Sequence, residues 1–191
     1  MDISIKKGER KRIHPQVFGL WIALASITMM FGAFTSAYIV RQAAGNWLDF
    51  RLPDLFFFST AIILLSSFTL QFSFNAFKRK KESAYKIFLV FTLVLGIAFL
   101  VFQYQGWMAL FDIGVDLKGN PSGSFLYLIT AAHAAHILGG IAALVVAILH
   151  AFSLKFEPTN QRRIRFKMVL TYWHFVDLLW LYLLVFLLMT R

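Results

Sequence analysis

The sequence predicts an all-α, polytopic membrane protein built as a bundle of five transmembrane helices. Three observations carry that reading. Of the 191 residues, 59% are hydrophobic and 17% aromatic, with 22 Phe among them, whereas soluble domains are about half apolar. The apolar residues gather into five runs, each long enough to cross a bilayer, which takes roughly 20 residues. The charges sit in the short stretches between those runs.

Residues 1–16 form a basic segment with Lys6, Lys7, Arg10, Lys11 and Arg12, and residues 17–191 form one transmembrane domain. The first span, 17–40, carries no charge and shows no small-residue cleavage site, so a retained helix is expected in place of a signal peptide. The second covers 55–77, with Pro53 suited to the start of a helix. The third, 87–111, follows the basic run Lys78-Arg79-Lys80-Lys81-Glu82 and ends in Gln103-Tyr104-Gln105-Gly106-Trp107. A Gly119-Asn120-Pro121-Ser122-Gly123 turn precedes the fourth, 125–154. The fifth covers 168–190. There is no internal repeat and no polar region of domain size.

Charge sets the expected orientation. Five Lys or Arg precede the first span, five lie between the second and third, and five between the fourth and fifth, while the other side holds Arg41, Arg51, Lys118 and Arg191. Basic residues mark cytoplasmic loops. The N-terminus is therefore expected in the cytoplasm and the C-terminus outside. The net charge of +10 has this origin and is not the clustered footprint that nucleic acid needs. With no cysteine, disulfides, thiolate metal sites and iron–sulfur clusters are excluded. No phosphate-binding loop, dinucleotide fingerprint, serine elbow or metalloprotease motif is present.

Close helix approach is expected where small residues repeat every four positions: Ala131, Ala135, Gly139 and Ala143 in the fourth span, with Ala132 and Gly140 beside them. The first span pairs Gly32 with Ser36 and Ala33 with Ala37. Ser59, Thr60, Ser66, Ser67, Thr69 and Ser73 in the second span are expected to bond the preceding turn's carbonyls, with Gln71 and Asn75 in the same polar series. Trp21, Trp47, Trp107 and Tyr104 read as interface anchors.

The chemistry concentrates in the last span, at Tyr172-Trp173-His174-Phe175-Val176-Asp177-Leu178-Leu179-Trp180. Asp177 is the one carboxylate inside any apolar run, and ionisable groups at membrane depth need partners. His174 and Asp177 share a helix face. The fourth span holds a second such pair, His133 and His136. At ~1.5 Å per residue, His136 lies about 17 Å from one edge of a ~30 Å core and His174 about 10 Å from the other. If the last two helices adjoin, His133, His136, His174 and Asp177 form one polar layer. Such a layer can hold a first-row metal, bind a b-type haem through two axial histidines, carry protons, or clamp helices through hydrogen bonds. His14 falls in the basic tail, and His150 is placed to reach the interface.

These residues resemble the haem–copper cytochrome c oxidase subunit III family. Tyr172 through Leu181, with Trp173, Phe175 and Trp180 as its marks, is similar to the family's last-helix signature. Thr130-Ala131-Ala132-His133-Ala134-Ala135-His136-Ile137 with Gly140 resembles its penultimate helix, where a Gly usually stands at the place of Ala134. Ser59-Thr60, Ser66-Ser67 and Thr69, then Gly96, Gln103 and Trp107, then Phe31-Gly32-Ala33 through Ala37-Tyr38, resemble further helices of the short, five-helix bacterial form. Two family carboxylates are missing. Ile27 follows Ser26 where a Glu is common, and Lys167 stands where another often precedes the last helix.

The resemblance implies an accessory subunit of a proton-pumping oxidase that reduces oxygen to water, in the bacterial inner membrane. It implies no redox centre in this chain, haem and copper in partner subunits, and bound phospholipid. The implied partners are the catalytic subunit I, subunit II and a small subunit IV, and there is no role for nucleic acid. It makes His133, His136, His174 and Asp177 an internal polar clamp and assigns this chain no catalytic residue. A quinol in place of cytochrome c is the alternative donor. A small b-type cytochrome or a transporter is the alternative of a different class.

Overall fold

A computed structural model describes residues 14–157 and 159–190. Most of the basic segment expected at 1–16, including its five Lys and Arg, lies outside the described residues. Five α-helices follow in order: α1 (Pro15–Ala43), α2 (Leu55–Lys78), α3 (Glu82–Asp112), α4 (Pro121–Ser153) and α5 (Asn160–Met189). Each is long and apolar enough to cross a membrane, and no strand occurs among the described residues. The fold is the all-α bundle that the apolar runs predict.

The helix ends follow from local chemistry. Pro15 and Pro121 open α1 and α4, where the missing N–H costs nothing. Asn120 caps α4: its Oδ1 accepts from Ser122 N at 2.9 Å and from Leu48 N at 3.3 Å, and its Nδ2 donates to Asn46 O at 3.1 Å. One side chain thus fixes both the start of α4 and the connection from α1. Asn120→Ala is expected to cost about 1 kcal/mol as a lost cap, read as a lower melting temperature in detergent together with faster proteolysis near Asn46. α3 ends in a Schellman motif, with Val115 N on Leu110 O and Gly114 N on Phe111 O, both at 3.0 Å, and Gly114 takes φ 82°. α2 closes with the same two bonds, from Lys81 N to Ala76 O and from Lys80 N to Phe77 O. There Lys80 takes φ 57°, a conformation glycine adopts more cheaply.

α5 packs against α1, α2 and α4, while α3 packs against α2 and α4. α1 is held along a narrow stripe, Leu24, Phe31 and Tyr38 at seven-residue intervals with Thr35 between. Ile27, Met30 and Phe34 flank this stripe half-buried, while the outer side of α1 is open, and a Cβ built on Gly32 meets nothing within 4 Å. The expected close approach through Gly32 and Ser36 is therefore not used inside this chain. In α4 Ala131, Ala135 and Gly139 of the expected stripe are exposed and Ala143 is half-buried, while Ala134 and Gly140 beside it are buried. Two aromatic clusters close the ends of the bundle. Phe74, Phe77, Tyr85, Phe156 and Phe166 pack beside the α2–α3 and α4–α5 connections. Tyr38, Trp47, Phe125 and Phe186 pack at the other end. Trp47 is thus packed against its own chain, while Trp21 and Tyr104 stay exposed as interface anchors do.

Candidate functional site

The buried face of α5 repeats at Trp173, Val176, Asp177, Trp180, Leu183 and Leu184, spacings of three and four that keep one stripe turned inward. Its two tryptophans each reach three other helices. Trp173, 1% exposed, donates from Nε1 to Ser66 Oγ of α2 at 2.9 Å. The same indole lies between two glycines. A Cβ on Gly96 of α3 would stand 2.8 Å from its Cη2, and one on Gly140 of α4 would stand 2.9 Å from its Cε3 and Cζ3. Both positions are glycine because the ring takes the space a side chain would need.

Trp180, fully buried, repeats the pattern two turns on. Its Nε1 donates to Thr60 Oγ1 of α2 at 2.8 Å, and its ring stacks on Phe56 with centroids 6.2 Å apart. It meets Phe99 of α3 edge-on at 5.3 Å and stacks on His133 of α4 at 4.9 Å. Such contacts supply packing enthalpy in a membrane, where hydrophobic exclusion between helices is weak.

Between the tryptophans, Asp177 is 3% exposed and turned toward α2. Ser67 bonds both members of the α5 pair: its hydroxyl donates to Asp177 Oδ2, and its Oγ lies 2.6 Å from His174 Nδ1. Asp177 Oδ1 is buried without a partner. From His174 the bonds continue along α2, with Nε2 3.3 Å from Gln71 Oε1 and Gln71 Nε2 donating to Asn75 Oδ1 at 3.3 Å.

The four candidate polar residues divide by partner. His174 and Asp177 meet on Ser67. His133, fully buried, sits among Phe31, Phe99 and Trp180 with both ring nitrogens unpartnered. His136 directs Nδ1 to Ala132 O of its own helix at 2.7 Å, while its backbone carbonyl accepts from Tyr172 Oη at 3.0 Å. Among the described residues, no hydrogen bond joins His133 or His136 to His174 or Asp177, and no group of three His, Cys, Asp or Glu is placed to hold a metal ion. The hydroxyl of Ser67 joins α2 to α5 through both His174 and Asp177, and Tyr172 joins α5 to α4.

The sequence pattern groups Ser67 with the self-satisfying hydroxyls. Ser59, Thr60, Ser66 and Thr69 do bond the preceding turn, but Ser66 and Thr60 also receive the two indoles, and Ser73 crosses to Tyr85 O. The signal that singles out Ser67 was present: Ser67, Gln71 and Asn75 stand four apart, on one face with each other. Phe175 is half-buried. Trp107, expected at the interface, instead donates to Thr130 Oγ1 at 3.0 Å and ties α3 to α4.

Known proteins share this chain's pattern. The family described as cytochrome c oxidase subunit III matches residues 48–190, a range that takes in α2 to α5. The cytochrome c oxidase subunit 3 of Corynebacterium diphtheriae is 30% identical over 171 residues, covering 85% of this chain and 82% of that protein. The probable cytochrome c oxidase subunit 3 of Nocardia farcinica is 30% identical over 173 residues, covering 85% and 82%. The probable quinol oxidase subunit 3 of Staphylococcus saprophyticus is 24% identical over 170 residues, covering 86% and 84%.

Proposed function

This chain belongs to the cytochrome c oxidase subunit III family, and on that premise we propose that it is the non-catalytic accessory subunit of a proton-pumping cytochrome c oxidase. It is a multi-pass membrane protein and a member of a haem–copper oxidase complex. In the proposed assembly it packs on the catalytic subunit I, with subunit II and a small subunit IV as further neighbours, in a bacterial inner membrane. The excess of basic residues on one side supports a cytoplasmic N-terminus and an external C-terminus. Haem and copper belong to the partners. This chain contributes a rigid helical surface that keeps the catalytic subunit stable and supplied with protons over many turnovers.

The observation that carries this role is the α5 ridge. Trp173 and Trp180 each engage α2, α3 and α4, and Ser67 binds His174 and Asp177, so the polar and aromatic chemistry of α5 is directed into its own bundle. In this reading His174 and Asp177 with Ser67 form one half of the clamp. His133 and His136, packed against Trp180 and Tyr172, form the other. The test is an oxidase purified with and without this chain, supplied with reduced cytochrome c or with a quinol. The expected result is an equal initial rate with cytochrome c and a shorter active lifetime without the chain. An unchanged lifetime contradicts the role, and oxidation of quinol alone moves the chain to the quinol branch of the family.

Bound phospholipid is part of the same reading. A cleft of about 320 Å³ at the basic end opens between α4 and α5, lined by Val146, His150, Phe77, Tyr85, Arg162 and Arg165. Apolar walls below two guanidinium groups suit an acyl chain beneath an anionic headgroup. Arg162→Gln with Arg165→Gln is expected to lower the anionic phospholipid that copurifies with the complex severalfold, measured by lipid mass spectrometry. Unchanged lipid content excludes the cleft as its seat.

A further inference from the structure

The polar strip along the seam between α2 and α5 has a use that the α5 ridge does not explain. Ser67, Gln71, Asn75 and His174 are only half-buried, and they lie next to Phe68 and Leu178, which are 63% and 68% exposed. The strip therefore faces out of the bundle. Gln71 precedes the charged end of α2, Lys78, by seven residues, and His174 follows Lys167 by seven, so both stand roughly 10 Å inside the membrane from the basic end. Amide and imidazole groups at that depth are costly against lipid and normally face protein or water.

The bonds within the strip leave hydrogen-bonding capacity unused. An amide NH2 carries two hydrogens. Gln71 Nε2 gives one to Asn75 Oδ1, and Asn75 Nδ2 has no partner among the described residues. The outer face of α3 is built differently: it presents Ile87, Val90, Phe91, Val94, Ile97 and Val101, a surface that suits acyl chains. The contrast sets the α2–α5 seam apart from the α3 face as a surface for protein.

We propose that this strip is the surface on which the catalytic subunit docks. Its occupant is a transmembrane helix of that subunit presenting hydrogen-bond acceptors (hydroxyl, carboxylate or free carbonyl) to Asn75 and Gln71, with Phe68 and Leu178 packing on either side. The proposal rests on membership of an oxidase complex and adds the docking face to it.

Photocrosslinking in the intact complex tests it. Benzoyl-phenylalanine is placed singly at Phe68, Leu178, Val94 or Ile97 of the full chain, the complex is irradiated in native membranes, and adducts are identified by mass. The expected result is an adduct with the catalytic subunit from positions 68 and 178 and its loss at positions 94 and 97. Lipid adducts alone at 68 and 178, or catalytic-subunit adducts from 94 and 97, overturn the docking face while leaving the oxidase reading intact. A chain that purifies with no oxidase subunit overturns the oxidase reading as well.

Discussion

Gly140→Leu is expected to strip the chain from the purified oxidase. A side chain there meets Trp173 at 2.9 Å from its first carbon, and the indole has nowhere to retreat. Its far edge is already against Gly96, and its Nε1 is bonded to Ser66. Overpacking of this kind costs about 1–3 kcal/mol, and a displaced indole forfeits a buried hydrogen bond of about 1 kcal/mol more. The converse change, Trp173→Ala, removes the ring and leaves a cavity between α2, α3, α4 and α5, a class of change that costs about 3–5 kcal/mol in soluble cores. Gly32→Leu is the control, because its position is open on α1. Melting temperature in detergent and the fraction of chain retained on the complex are the two readouts. Equal retention of the Gly32 and Gly140 variants contradicts the role given to Trp173.

Ser67→Ala is expected to damage the protein more than Asp177→Asn. Ser67 is the partner found for Asp177, whose Oδ1 is already unpartnered. Its removal leaves the Asp177 carboxyl buried with both oxygens unpaired and takes the contact at Nδ1 from His174. Leaving a buried polar group without its partner costs about 1–3 kcal/mol. Asparagine at 177 keeps the shape and an acceptor for Ser67, so its cost is expected below about 1 kcal/mol. The double variant Ser67→Ala with Asp177→Leu removes both polar groups together and is expected to recover most of the loss. Stability in the order Asp177→Asn, then the double variant, then Ser67→Ala, measured by denaturation in mixed micelles, checks the pairing. If Ser67→Ala proves silent, the carboxylate does not depend on that hydroxyl.

Much of the fold was legible because lipid imposes a simple rule on sequence. Five apolar runs read as five spans, and five helices stand there. Helix ends were less legible, since a helix need not stop where hydrocarbon stops. α3 begins at Glu82 and α5 at Asn160, among charged and polar residues that hydropathy sets apart from the spans. The α5 signature was legible as a locus of chemistry, but its partners were not. Depth arithmetic put four polar residues at similar levels, yet depth says nothing about azimuth, and rotation about the helix axis sends His174 and Asp177 to α2 while His133 meets Trp180. Gly96 and Gly140 read as family marks or small-residue packing. Only the fold shows that one indole occupies both gaps.

The most direct measurement is a pull-down of the tagged full chain from native membranes in mild detergent, with partner masses, bound metal and the reduced-minus-oxidised haem spectrum recorded on the same sample. The account predicts a large multi-helix partner that brings haem and copper, and a chain that carries neither once the subunits are separated. A chain that purifies alone, or one that keeps haem after separation, contradicts it.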